Sequence, residues 1–171
     1  TKAMVQHVRS HPEGGFVLEG RGLESLHGRC LMLATGGHPS GRKLAEALGH
    51  QVVPPVPSLF SLTLQAPALT ACSGIAIDDV GLDLKLGHER FRQTGRVLIT
   101  HRGLSGPATL RLSAFAARAL HQSRYRGELK LDWTAGLGRS GLTQRLQQWR
   151  QEQARRTLAA AKPLDHLPRR L

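Results

Sequence analysis

Polar and apolar residues alternate with a period of two over several short stretches in the second half of the chain. Phe60, Leu62 and Leu64 are separated by Ser61 and Thr63, the pattern of a strand with one buried face. Val80, Leu82, Leu84 and Leu86 repeat it, with Asp83 and Lys85 on the opposite side. Phe91–Gln93 and Arg96–Thr100 flank Thr94-Gly95 and predict a hairpin that turns at this dipeptide. Leu129, Leu131 and Trp133 alternate with Lys130 and Asp132 and supply a last strand. Strands of this length and spacing predict a small barrel or sandwich.

The period lengthens to that of a helix in two places. Ser105-Gly106-Pro107 reads as a helix opening, with Ser105 as N-cap and proline in the first turn. Leu110, Ala114, Ala117 and Leu120 follow at helical spacing, so the helix covers about 105–122. A second helical segment is expected over 140–171. Its regular part starts at Ser140, buries Leu142, Leu146, Trp149 and Leu158, and ends before Pro163.

Upstream, Thr1–Arg9 alternates weakly, and Phe16–Glu19 and Gly22–His27 predict strands around a glycine turn. Cys30–Ala34 is a continuous apolar run of the length of a strand buried on both faces. Leu44–Leu48 predicts a short helix closed by Gly49. Three prolines fall in Pro54–Pro57, which neither a helix nor a central strand tolerates. The break separates two expected domains, 1–50 and 51–171, with the barrel-like part at 57–134.

Composition narrows the class. The 171 residues are 40% hydrophobic, enough for a sizeable core. No run of eighteen apolar residues occurs, so no transmembrane helix is expected, and no signal peptide opens the chain. Cys30 and Cys72 form no CxxC pair, which argues against a disulfide framework or a zinc site and for a cytoplasmic setting. The formal charge is +12, and strongly basic domains often bind nucleic acid. Here the arginines are spread along the chain, with pairs only at Arg42-Lys43, Arg155-Arg156 and Arg169-Arg170, and aromatics make up 4%. No zinc-finger, helix-turn-helix or RRM signature appears, so nucleic acid is disfavoured as a partner.

The chemistry concentrates in two stretches. In Arg29–Lys43 a strand runs into Thr35-Gly36-Gly37 and then a helix, an order that offers bare N–H groups to a phosphate or cofactor edge. Gly36 and Gly41 have the spacing of a phosphate loop, but Arg42 replaces its lysine and Lys43 its hydroxyl residue. An ordinary strand-to-helix turn is the alternative. In Thr100–Pro107, Gly103-Leu104-Ser105-Gly106-Pro107 approximates a nucleophile elbow, with proline at the second required glycine. His101 is four residues from Ser105, yet most serines in this setting are N-caps. His7 and His11 share a face only in a helix, which Pro12 and Gly14 oppose. Asp78-Asp79 reads as a solvated pair at a turn.

Three passages together resemble one family. LMLATGG after the Gly15–Arg29 hairpin is similar to the second glycine motif of two-dinucleotide-fold flavoproteins. LAEALGHQVVPPVPSL and LITHRGLSGPATLRLSA resemble, in the same order, the BaiN and aminoacetone-oxidase-like flavoproteins, NAD(P)/FAD-dependent oxidoreductases. The resemblance covers about Gly15 to Ala114.

It implies an α+β chain: a small antiparallel β-barrel-like inserted domain with helices, preceded by a remnant of a Rossmann-type FAD-binding domain. Ala34, Thr35, Gly36 and Gly37 would lie beside FAD, with HPSGR replacing the family's longer glycine-rich loop. Thr100, Ser105 and Gly106 would face the flavin or substrate, and His101 would donate a proton or contact substrate. NAD(P)H is the implied electron donor, and the substrate would be a small molecule. The missing GxGxxG turn and the opening Thr1 suggest a middle portion of a longer flavoprotein, inactive alone, whose remaining parts are its partners. A basic binding module for nucleic acid or protein is the second reading, and a hydrolase built on Ser105 the third.

Overall fold

The computed structural model describes residues 2–153, 155 and 164–171. The chain divides into two compact units, Thr1–Pro55 and Val56–Leu171. No described helix is long and apolar enough to cross a membrane.

The first unit is a three-stranded antiparallel sheet with a helix. β1 (Met4–Ser10), β2 (Phe16–Arg21) and β3 (Leu23–Gly28) pair in chain order. Gly14 and Gly15, at φ 99° and 82°, make the first turn, where Gly14 N donates to His11 O. α1 (Pro39–Ala47) packs on β1, bringing Leu44 into a small core with Val8 and Val17. The helix opens five residues earlier than its apolar stripe suggests, because Pro39 fits the first turn and the His38 ring accepts from Ser40 N at 3.2 Å.

Cys30–Ala34 is not the buried strand its composition predicts. It runs as irregular chain, with Met32 85% exposed and Leu31 half-buried. A strand apolar on both faces needs neighbouring strands and cover on each side. Among the described residues the sheet ends at β3.

The second unit is α+β, a curled antiparallel half-barrel with helices. β4 (Leu62–Thr63) precedes α2 (Pro67–Thr70). β5 (Ala76–Leu86), β6 (Glu89–Thr100) and β7 (Gly103–Ser105) then form a continuous meander. α3 (Pro107–Phe115) and α4 (Ala117–Gln122) follow, then β8 (Glu128–Asp132) and α5 (Gly138–Glu152). The strand order is β4-β7-β6-β5-β8, all antiparallel.

The alternation in β5 sends Val80, Leu82, Leu84 and Leu86 inward, joined by Val97 and Ile99 of β6 and Leu104 of β7. α3 and α4 cover this face with Ala108, Leu112, Ala116, Ala119 and Leu120. Burying a leucine such as Leu112 contributes roughly 1.5–3 kcal/mol. Leu110 and Ala114, expected at the centre of the helix face, are only partly buried. Residues 164–171 return to the barrel. His166 Nε2 lies 2.8 Å from Trp133 O, and Arg170 donates to Ala71 O.

Two local expectations fail here. The hairpin turns at Gly87-His88, where Leu86 pairs with Glu89, and not at Thr94-Gly95. Gly87, at φ 60°, takes the first central position with the φ sign of a type II′ turn. Gly95 instead sits inside β6 because α3 crosses closely above it: a Cβ there would lie 3.1 Å from the Arg111 guanidinium and 3.7 Å from Ala108. Asp78 and Asp79 fall within β5 as a bulge, with Asp79 at φ 56° and Asp78 facing Arg96 at 3.6 Å.

The N-cap of α3 is Gly106, not Ser105, which ends β7. In α5, Leu142 and Trp149 are partly buried and Leu146 is exposed, so the face expected to be buried is covered only in part. The expected continuation to Ala161, with Leu158 and Pro163, lies outside the described residues.

Candidate functional site

In the first unit, Ala34, Thr35, Gly36 and Gly37 form the exposed approach to α1. The Thr35 side chain rests against Gly41, buried in the first turns of the helix, and His38 N donates to Thr35 O at 3.4 Å. Arg42 donates to Gly37 O at 3.2 Å. Gly36 takes φ 59°, and a Cβ at either glycine would meet nothing within 4 Å. Space is therefore open on the Cβ side of both glycines, while the Gly37 carbonyl is engaged by Arg42. Part of the helix N-terminus is already satisfied by His38, so the N–H groups of the turn are the more available donors.

In the second unit, Thr100–Gly106 forms the tip between β6 and β7 and the entry to α3. Thr100 Oγ1 accepts from Gly103 N at 3.1 Å and donates to Gly103 O at 3.2 Å, which closes the turn. Leu64 N donates to Arg102 O, fastening the tip to the end of β4. His101 and Arg102 project from it, exposed, and among the described residues His101 makes no hydrogen bond or ion pair.

Ser105 Oγ accepts from Ser61 Oγ at 2.9 Å. Its partner is thus a second hydroxyl and not a histidine, so the described residues supply no base for a serine nucleophile. Gly106, at φ 96°, makes the sharp turn into α3, whose first N–H groups carry no side-chain cap. Thr109 Oγ1 donates to Ser105 O at 3.0 Å and adds a further fastening.

Charge is unevenly divided between the units. Val56–Leu171 holds 18 Lys and Arg against 8 Asp and Glu. Asp83 on the outer sheet face accepts from Arg90 at 2.6 and 3.1 Å and from Arg92 at 2.9 Å. The Arg90 hydrogen bonds, with Arg92, hold its carboxyl below the usual aspartate range despite partial desolvation. Asp132 is lowered too, chiefly by the Thr134 hydroxyl and then the Thr134 N–H. No described group of His, Cys, Asp and Glu could hold a metal ion, and His11 contacts the His27 ring edge-on at 5.4 Å.

No sequence pattern singled out the gap between the sheet's edges. β4 and β8 both line one cleft of about 670 Å³, with Leu64, Leu129 and Leu131 on its walls and Tyr125 and Arg126 at its rim. The sheet curls far enough to bring its first and last strands to the same opening without pairing them.

A curled antiparallel sheet with a helical pair across its inner face defines a barrel-like α+β module. Residues 56–171 match the HI0933-like protein barrel and H2TH domain, and the chain belongs to that family, within the FAD-dependent oxidoreductase and BaiN-like group. A Haemophilus influenzae protein named ribosomal RNA dihydrouridine synthase is 34% identical over 125 residues, 66% of this chain and 29% of that protein. An Escherichia coli protein of the same name is 36% identical over 114 residues, covering 60% and 27%. The chain thus spans less than a third of the length of these relatives.

Proposed function

We propose that this chain is the barrel portion, with part of the FAD-binding portion, of a flavin-dependent oxidoreductase whose substrate is ribosomal RNA. Its similarity to two proteins named ribosomal RNA dihydrouridine synthase carries the reading, and the family's place among FAD-dependent oxidoreductases agrees with it. This reading departs from the sequence-based expectation of a small-molecule substrate and takes nucleic acid as the partner instead.

FAD would supply the reducing electrons, with NAD(P)H as their source. The open space beside Gly36 and Gly37 would let the cofactor approach, and Ala34 and Thr35 would flank it. In the barrel unit, Thr100 holds the β6–β7 tip closed and so fixes where His101 stands. An imidazole is suited to deliver a proton near neutral pH, and His101 is exposed and unengaged. Ser105 and Gly106 set the entry of α3, and its uncapped N–H groups would favour an anionic group nearby.

The test uses the protein at the length its gene encodes. Flavin absorbance bands in the purified protein, together with loss of one dihydrouridine from ribosomal RNA when the gene is deleted, support the reading. An unchanged dihydrouridine content, with or without flavin, sinks the RNA substrate. Absence of flavin after added FAD sinks the oxidoreductase and leaves the basic binding module.

A further inference from the structure

We propose that the open seam of the half-barrel is a cleft for single-stranded RNA, in which Arg126 takes a phosphate and Tyr125 an unstacked base. The proposal rests on the RNA reading above and assigns it a surface.

Three observations converge on the seam. The first is its size: about 670 Å³ falls within the roughly 300–1,000 Å³ of clefts that enclose small ligands. A nucleotide pushed out of a strand fits that scale, whereas a duplex presents its bases to itself. The second is charge. Between Glu89 and Glu128 the chain has eight arginines and no acidic residue. Arg90, Arg92 and Arg96 are engaged by aspartates, but among the described residues Arg102, Arg124 and Arg126 make no ion pair, and Arg126 is the one of these three that lines the cleft.

The third is the build of the rim. Arg124 and Tyr125 are consecutive left-handed residues, at φ 52° and 59°. This backbone is uncommon for side chains of their size, and it is held by Tyr125 N donating to Leu120 O at 2.7 Å. It places Tyr125 directly before Arg126, and both residues line the cleft. Tyr125 is 46% exposed, steadied edge-on by Phe60 at 5.9 Å and His121 at 6.2 Å.

An aromatic ring beside unpaired cations is the recurring arrangement for single strands: the ring stacks on a base and the cation meets the backbone. The walls add the polar groups of two sheet edges, since among the described residues neither β4 nor β8 has a strand on its outer side. An extended peptide could also lie along such an edge. It would have to be acidic, and β4 offers it only two residues.

The test is fluorescence anisotropy with the 171-residue chain and a labelled twelve-nucleotide single-stranded RNA, over a salt series. R126Q changes an exposed side chain with no structural partner. It should weaken binding at least fivefold and reduce the salt slope by about 0.7. Y125L should weaken it about tenfold or more, with circular dichroism checking that it folds. R9Q, in the other unit, and R150Q, on α5, should change affinity less than twofold. RNA carrying 4-thiouridine should photocrosslink within residues 124–127.

Equal losses in all four variants would mean diffuse charge and overturn the cleft. Binding that ignores both R126Q and Y125L overturns it too while leaving the RNA reading intact. Preference for an acidic peptide or a duplex over the single strand also counts against it. No binding by the unaltered chain removes the cleft, whereas the dihydrouridine measurement decides the substrate separately.

Discussion

Ser113, fully buried on α3, accepts a hydrogen bond from Phe60 N at 2.9 Å and donates one to Leu110 O at 2.9 Å. One hydroxyl thereby ties the segment before β4 to the helix that covers the sheet. S113A removes the acceptor and leaves the Phe60 N–H without its partner, at a cost of about 1–3 kcal/mol. The urea midpoint should fall at unchanged slope. A midpoint equal to that of the unaltered chain would mean that water takes over the bond.

Gly106 is a second fastening of the same region. At φ 96° a side chain is strained, and a Cβ would lie 3.0 Å from Leu98 N and 3.1 Å from Arg96 O. Gly136, at φ 82°, has open space around it. G136A should cost only the backbone strain of about 1–3 kcal/mol, and G106A distinctly more. Equal losses in a denaturant titration would show that the backbone relaxes around the new methyl group.

Stability should depend on acid through Asp83 and Asp132. Both carboxyls are lowered in the folded chain, so the unfolded chain binds their protons first. Their contribution is complete above the unfolded value, near 3.9, and is lost as pH falls through the lower folded values. D83N should flatten the decline of stability below about pH 4 and leave the response near neutrality unchanged. A decline as steep as in the parent would show that Arg90 and Arg92 give Asp83 no net advantage.

Gly37 separates cofactor contact from folding, because a Cβ there meets nothing within 4 Å. G37V in the gene-length protein should leave the melting temperature of the flavin-free form within about a degree and reduce bound flavin at least tenfold. Both estimates follow from open space in the free chain and a blocked backbone in the loaded one. Full flavin occupancy in G37V would move the cofactor away from this turn.

Much of the barrel unit was legible because one sheet face is buried and the other wet. Val80, Leu82, Leu84 and Leu86 announce β5 by alternation alone, and Leu129 and Leu131 do the same for β8. Gly95 misled because a glycine after threonine looks the same whether it turns a chain or admits a helix above a strand. The Gly87 turn carried the stronger conformational demand but lay between runs that read as separate strands. Cys30–Ala34 misled in the opposite direction, since composition records a preference for burial without supplying neighbours.

At the candidate site, Gly36 and Gly106 are legible because glycine marks unusual backbone, and both take positive φ. The sequence pattern places the cap on Ser105, whereas the structure has it one residue later, on Gly106. Nothing in the local pattern marks Tyr125 and Arg126, because their significance depends on two strands more than sixty residues apart, Thr63 and Leu129 among them, reaching one opening. The absence of acidic residues from 90 to 127 is the available signal, and it is diluted in the charge of the whole chain.

The order of strands in the half-barrel also sets an order in time. β5, β6 and β7 close on their immediate neighbours, through a turn as short as Gly87-His88. β4 must find β7 across the separation from Leu62 to Leu104, and β8 must find β5 across that from Leu82 to Leu131. Longer loops cost more entropy to close, and such non-local pairings slow folding. The central meander should therefore nucleate, and the two border strands should dock last and loosen first. Amide protons of β4 and β8 would then exchange while those of Val97 and Ile99 stay protected, so that the barrel breathes at its rim around a persistent middle.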